Sequence, residues 1–260
     1  MQRAGATWAV EGAGYSWGRP TMNLASERRK RLIYRALPLV GVAAVSMGVG
    51  MVLGGNADSA SERTARSFAA AWQAQDYQRM YGLLSPAAQR RYSPAAFRDV
   101  YLRAGATATG TKVLVSAPDG ESDGAVALPV ELRTRVFGPY RGVVRLPVSD
   151  EHVDWAPNLA FPGLAPGERL TRTSMPPRRG TLRARSGRVL ATGPAESRGS
   201  PLGTLAGSIA GELSPEETAD ERELLYAHGF PRDQPVGQTG LEHVFEGRLR
   251  GIPGGTLRAG

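Results

Sequence analysis

Apolar residues recur at helical spacing between residues 65 and 101, then at alternate positions between 111 and 148. Ala65, Phe68, Ala69 and Trp72 fall at i, i+3, i+4 and i+7, which is one face of a helix. The stripe resumes at Tyr77, Met80, Tyr81 and Leu84, and again at Phe97, Val100 and Tyr101. Ser85-Pro86 and Ser93-Pro94 each set an N-cap before a proline suited to the first helical turn. Three helices are predicted here. The period then changes to two in the segments 111–117, 124–137 and 140–148, with turn signals at Asp119-Gly120 and Gly138-Pro139. Val130, Leu132, Thr134 and Val136 share one face, and Glu131, Arg133 and Arg135 share the other. Helices first and an antiparallel sheet afterwards define an α+β domain.

The pattern from 150 onward is more broken. WAPNLAFPGL is proline-spaced and reads as an extended connector, with Trp155 expected to plug a groove between two domains. TLRAR and RVLAT flank Ser186-Gly187, a two-residue hairpin turn. In that register Leu182 pairs with Ala191, Ala184 with Val189, and Arg185 stands directly opposite Arg188. Like charges so placed are unfavourable. They are therefore expected to splay into solvent or to meet an acid such as Glu168 or Glu196. Ser214-Pro215-Glu216-Glu217 opens a further helix that Gly229 closes. Thr239 and Glu242 have capping-box spacing, ahead of an apolar face of Leu241, Val244, Phe245 and Leu249 that ends at Gly251.

One segment sets the expected topology. Ala36 to Leu53 is 18 residues without a charge, which as a helix rises about 27 Å, close to a hydrocarbon thickness. Arg28, Arg29, Lys30, Arg31 and Arg35 precede it, so the N-terminus is expected in the cytoplasm and the rest outside. A cleaved signal peptide has the same layout, but this run is long for one. A buried core helix is rarely so free of charge. Met22 is an alternative start, because the first 21 residues carry no periodicity.

Composition removes several classes of function. The chain of 260 residues carries a formal charge of +8, with 30 arginines and only Lys30 and Lys112 as lysines. It has no cysteine, and His152, His228 and His243 lack metal-ligand spacing. No metal or cofactor is expected. Five arginines lie between Arg178 and Arg188, but no aromatic residue among them offers a stacking surface. No nucleic-acid partner is expected.

The order of these pieces resembles the N-terminal half of a class B penicillin-binding protein, in the branch with an NTF2-like N-terminal transpeptidase domain. FAAAWQAQDYQRMYGLLSP is similar to the opening helices of the NTF2-like cone. RRGTLRARSGRVLA and VGQTGLE resemble the two boxes of the dimerisation or pedestal domain. Arg179, Gly180, Arg185 and Gly187 match the first box, with Ala184 where the family usually has aspartate. Gly237, Gly240, Leu241 and Glu242 match the second, with Thr239 in place of a common serine. The apolar run and its basic flank, together with the resemblance over residues 32–260, imply a cytoplasmic segment 1–31, an anchor 32–56, an NTF2-like domain 57–149, a connector 150–170 and a partial pedestal domain 171–260. They also imply location in the cell membrane as a single-pass protein. The partners implied are membrane lipid, cell-division or cell-elongation membrane proteins, and a second copy of the chain.

Acyl-serine chemistry in that family needs SxxK, SxN and KTG. Glu27 and Thr109 stand three residues before the two lysines, Val113 follows Lys112, and neither Asn23, Asn56 nor Asn158 has a serine two before it. The chain is therefore expected to be a non-catalytic scaffold for peptidoglycan synthesis that stops before the transpeptidase half. The competing expectation is an extracytoplasmic NTF2-like enzyme or small-molecule binder. Its reacting groups would come from Asp76, Asp99 and Tyr101 in the cone, whereas the bland reading makes these a helix breaker, a solvent-facing acid and a core ring.

Overall fold

The computed structural model describes residues 59–260. The anchor and cytoplasmic segment expected from the sequence lie outside the described residues. Among those described, no helix is long and apolar enough to cross a membrane.

The helical stripe folds as four helices rather than three. They are α1 (Ala60–Gln73), α2 (Tyr77–Gly82), α3 (Pro86–Arg91) and α4 (Pro94–Thr107). The first stripe divides because Gln75 takes φ +57° and the Asp76 carboxylate accepts the Arg79 N–H, capping α2. Ser59 and Glu62 form a capping box on α1, and Ser85 and Ser93 cap α3 and α4 as their Ser-Pro pairs predict. Ala65, Phe68, Ala69 and Trp72 are all buried.

The sheet is curled and antiparallel, built from β1 (Gly110–Val115), β2 (Glu121–Ser122), β3 (Ala125–Thr134), β4 (Pro139–Ser149) and β5 (His152–Val153). Its order is β1-β3-β4-β5, with β2 on the β1 edge of β3. Val126, Leu128, Val130 and Leu132 alternate inward along β3. Helices laid into this sheet make an α+β cone.

Trp155 corrects one expectation. It belongs to the cone's own core instead of a groove between domains, with its ring 4.7 Å from Phe97 and 5.0 Å from Tyr92. Its Nε1–H donates to the Tyr101 hydroxyl at 3.0 Å. The segment after it turns through a 3₁₀ helix at Pro157–Ala160 and adds Leu159 and Ala160 to the same core. Much of the proline-spaced stretch is thus cone, because an indole with a buried N–H settles where a hydroxyl can accept it.

The second domain is held by short elements. Strand β6 (Leu170–Met175) pairs antiparallel with β11 (Gly254–Ala259), joining the two ends of the domain. Between them lie β7 (Leu182–Arg183), β8 (Val189–Ala191), α5 (Thr204–Ala210), β9 (Leu213–Ser214), α6 (Ala219–Ala227), β10 (Val236–Gly237), α7 (Gly240–Val244) and α8 (Glu246–Leu249). Three local expectations change. The helix after Ser214 begins later, because Thr218 and Glu221 form its capping box while Ser214 sits in β9. The helix after Gly240 is broken at Phe245, whose φ of −105° and ψ of 11° end one turn and start the next. Val244 consequently stays 69% exposed and only Leu249 of that predicted face is buried.

The hairpin register also shifts. Leu182 pairs with Ala191 as expected, but Arg183 pairs with Val189, and the Ala184 N–H donates to the Arg188 carbonyl. The turn is Ala184-Arg185-Ser186-Gly187, closed by the Gly187 N–H on the Ala184 carbonyl, with Gly187 at φ +84°. A glycine in this conformation makes the bulge that follows a three-residue turn. Arg185 thereby leaves the position opposite Arg188 and sits at the turn's corner. The expected charge clash is relieved by the turn geometry, and neither Glu168 nor Glu196 is recruited.

Arg172 takes part in several of the contacts between the domains. Arg172 on β6 reaches the C-terminus of α4, where its Nη1 donates to the Ala106 and Thr107 carbonyls at 3.0 Å each. These are carbonyls that a helix end leaves without intrahelical partners. The same guanidinium covers the Tyr226 ring at 3.7 Å, and Arg232 covers its other face at 3.5 Å. Gly229, at φ +107°, lies so near the cone that a Cβ there would stand 2.6 Å from Val136 Cγ2.

His228 is half-buried at this joint. Burial, followed by the positive charges of Arg135 and Arg250, pushes its imidazole below the ordinary value of 6.5. The folded chain keeps it neutral while the unfolded chain takes up a proton as pH falls below about 6.5. Stability is therefore present above that pH and lost as pH falls through it. Thermal unfolding from about pH 7.5 to 5.5 should decline more steeply for the wild type than for His228→Gln. Parallel curves would remove His228 from the joint's electrostatics.

Candidate functional site

The two boxes fold against each other around a buried ion cluster. Arg179 is 7% exposed and Glu242 is 0% exposed, which for a charged pair demands direct partners. Arg179 Nε and Nη2 both donate to Glu242 Oε2, at 2.9 and 2.7 Å. Nη1 donates to Glu246 Oε1 at 3.3 Å, and Nη2 also reaches Glu246 Oε2. The other Glu242 oxygen accepts from Arg198 Nε at 2.8 Å. Arg198 spends its remaining donors on the Gly193 and Gly180 carbonyls, at 2.9 and 2.7 Å. Two guanidiniums thus meet two carboxylates, and Glu246 Oε2 further accepts the Gly237 N–H at 2.8 Å. Burial pushes the Arg179 guanidinium down, but the Glu246 and Glu242 carboxylates outweigh it and leave it above its ordinary value.

Local backbone chemistry puts these groups together. The Gly180 N–H donates to the Leu249 carbonyl at 2.7 Å, so the first box lies along the end of α8. Leu182 and Leu249 share a small core with Ala191 and Ala210, against which Leu241 packs. The glycines of the second box permit the approach. A Cβ on Gly237 would stand 2.3 Å from the Glu242 carbonyl atoms. Gly240, at φ +58°, lies against the Ile209 and Ala210 carbonyls at 2.7 and 2.8 Å from its would-be Cβ. Thr239 does not cap α7. Its hydroxyl instead accepts the Glu212 N–H at 2.9 Å, and Glu242 turns inward to the arginines.

Of the residues the sequence singles out, Arg179, Gly180, Gly237, Gly240, Leu241 and Glu242 are brought to this one place. Arg185 and Gly187 stand apart at the hairpin tip, and Trp155 lies in the cone. The sequence reading misses Arg198 and Glu246. Glu246 follows Glu242 by four residues, a spacing that puts two acids on one face. Arg198 has no local signal at all. It becomes a partner only because Thr192 and Gly199 bridge and fold its loop back.

This cluster has hydrogen bonds to spare and no reacting group. Its charges balance, and it holds no serine, lysine or thiol. Among the described residues no group of His, Cys, Asp or Glu could hold a metal. The cone is packed with side chains. Its interior is filled by Phe68, Trp72, Met80, Leu84, Phe97, Tyr101 and Trp155. Asp76 caps α2 and Asp99 faces solvent. Burial pushes the Tyr101 phenol far above its ordinary value, and its oxygen already accepts from Trp155.

The cone is thus packed with side chains, and the second domain is tied together by an internal ion cluster. Residues 60–168 match the family model described as the NTF2-like N-terminal transpeptidase domain, and residues 192–259 match the Penicillin-binding Protein dimerisation domain. The chain therefore carries the two non-catalytic N-terminal domains of the penicillin-binding proteins, in the order found in the N-terminal half of a class B member. Among curated proteins no match is found. The first match runs to residue 168, which agrees with the placing of Trp155, Leu159 and Ala160 in the cone's core.

Proposed function

We propose that this chain is a membrane-anchored, extracytoplasmic scaffold in peptidoglycan synthesis. It serves as the pedestal that positions a D,D-transpeptidase domain, and two copies associate through their pedestals. Cell-division or cell-elongation membrane proteins are its further partners. The observation that carries this reading is the buried Arg179–Glu242–Arg198 cluster. It ties the N-terminal and C-terminal boxes of the pedestal into one unit, as a load-transmitting support requires, while offering no nucleophile. The apolar run Ala36–Leu53 with its basic cytoplasmic flank supports the anchor and its orientation. Within its 260 residues there is no SxxK, so the chain itself performs no acyl transfer.

Incubating the purified chain with a fluorescent penicillin tests the non-catalytic part. No covalent label should survive denaturation, whereas a stoichiometric label would end the scaffold reading. The cone as an enzyme site lacks a supporting observation, since its candidate carboxylates point outward.

A further inference from the structure

Two surface features lie away from the domain joint and carry charges that the ion cluster does not use. The first is the hairpin tip. Arg183, Arg185 and Arg188 are all exposed there, within six residues. Arg183 bends back onto the Gly187 carbonyl at 3.1 Å. The side chains of Arg185 and Arg188 have no partner among the described residues. The second is an open depression of about 390 Å³ between the 3₁₀ turn Ala195–Ser197 and the end of α5 running into β9 at Gly211, Glu212 and Leu213. Glu196 and Glu212 both line it, exposed, and neither carboxylate has a partner among the described residues. Arg198 lies at its base, but its donors are committed to Glu242, Gly193 and Gly180. The depression therefore presents net negative charge. It is bordered by β9, which has a strand neighbour on one edge only.

We infer that these surfaces are the two halves of a self-interface, in which the hairpin tip of one copy enters the depression of a second. Arg185 and Arg188 then lie between Glu196 and Glu212 of the other copy. The proposal rests on the self-association put forward above and names its surfaces. Complementary charge selects the occupant, because the chain carries both the cationic tip and the anionic seat and pairs neither with the other internally. A depression of this size falls within the range of about 300–1,000 Å³ that accommodates compact ligands, so it has room for the arginine stems. A two-fold axis would repeat the contact, each copy giving one tip and receiving one, which closes the assembly at a dimer. Such contacts steer association and weaken as salt rises. A nucleic-acid strand does not fit the same features, since the tip lacks aromatic residues and the seat is acidic.

The absence of cysteine makes a direct test available. Full-length chains carrying Ser186→Cys at the tip are mixed with chains carrying Ser197→Cys at the seat, in mild detergent, and oxidised. Sedimentation of the cysteine-free chain is followed in parallel. A mixed interchain disulfide should form. It should fall at least tenfold when the tip chain also carries R185E and R188E, and return when the seat chain carries E196R and E212R. A dimer in sedimentation whose cross-link is absent or indifferent to charge reversal would overturn this interface while leaving self-association standing. A chain that remains monomeric at every concentration would overturn both.

Discussion

Glu242→Ala is expected to destabilise the pedestal by about 3–5 kcal/mol, the cost of leaving buried charge without its partner. Glu242 is fully buried and divides its two oxygens between Arg179 and Arg198. Removing it leaves Arg198 with carbonyl partners only and Arg179 with Glu246 alone. The loss should be local. The amide of Gly180, bonded to Leu249 at 2.7 Å, should exchange with solvent far faster in the variant. Unfolding reported by Trp72 and Trp155, which sit in the cone, should move much less. Glu242→Gln should fall between the two, because it keeps a hydrogen-bonding shape without the charge. Pairing Glu242→Ala with Arg198→Ala should be less than additive, since the two residues act on one another. A loss for Glu242→Ala of under about 1 kcal/mol, the worth of an exposed pair, would mean that the cluster does not hold the pedestal together.

Gly237→Ala is expected to cost about 3 kcal/mol, at the upper end for forcing an added methyl into packed surroundings. The atoms its Cβ would meet, 2.3 Å away, are the backbone carbon and oxygen of Glu242. A flexible side chain could swing aside; a helix backbone cannot move without shifting Glu242 off Arg179. The same displacement would lengthen the 2.8 Å bond from the Gly237 N–H to Glu246. Gly187→Ala supplies the contrast. Its φ is +84°, but open space surrounds it, so only the left-handed backbone penalty of about 1–2 kcal/mol applies. Chemical denaturation monitored by far-UV circular dichroism would rank the two. Equal losses would show that the second box is not under steric constraint.

The contrast between these glycines shows what a linear motif contains. Gly187 declares its role locally, because a glycine between two alternating segments reads as a turn. Even so, the sequence places the turn one residue late. Register there depends on the bulge, and the bulge depends on which carbonyl Gly187 bonds. Gly237 declares nothing by itself, since its reason is the helix that folds over it from residues 240–244. Capping signals behave in the same way. Ser85 and Ser93 act as caps because a proline follows each, and Ser85 does so even though its side chain also bonds Asp154. Thr239 and Glu242 have equally good spacing, yet buried arginines outbid the helix end for the carboxylate. Trp155 is the third case. Its size marks it as an anchor, but only the Tyr101 hydroxyl, 54 positions earlier in the chain, settles which domain it anchors.

The sequence by itself determined the α+β order, the inward faces of α1 and β3, and the caps at Ser85 and Ser93. These rest on periodicity and on contacts within a few residues, which a linear pattern records directly. Tertiary structure alone decided that Arg179, Glu242, Arg198 and Glu246 share one buried cluster. It also decided that Arg172 bridges the domains and that the cone is filled rather than hollow. Those outcomes turn on pairing charges and filling volume between segments far apart in the chain, where the cost of a buried unpaired group or an empty cavity is felt only once the chain has closed on itself.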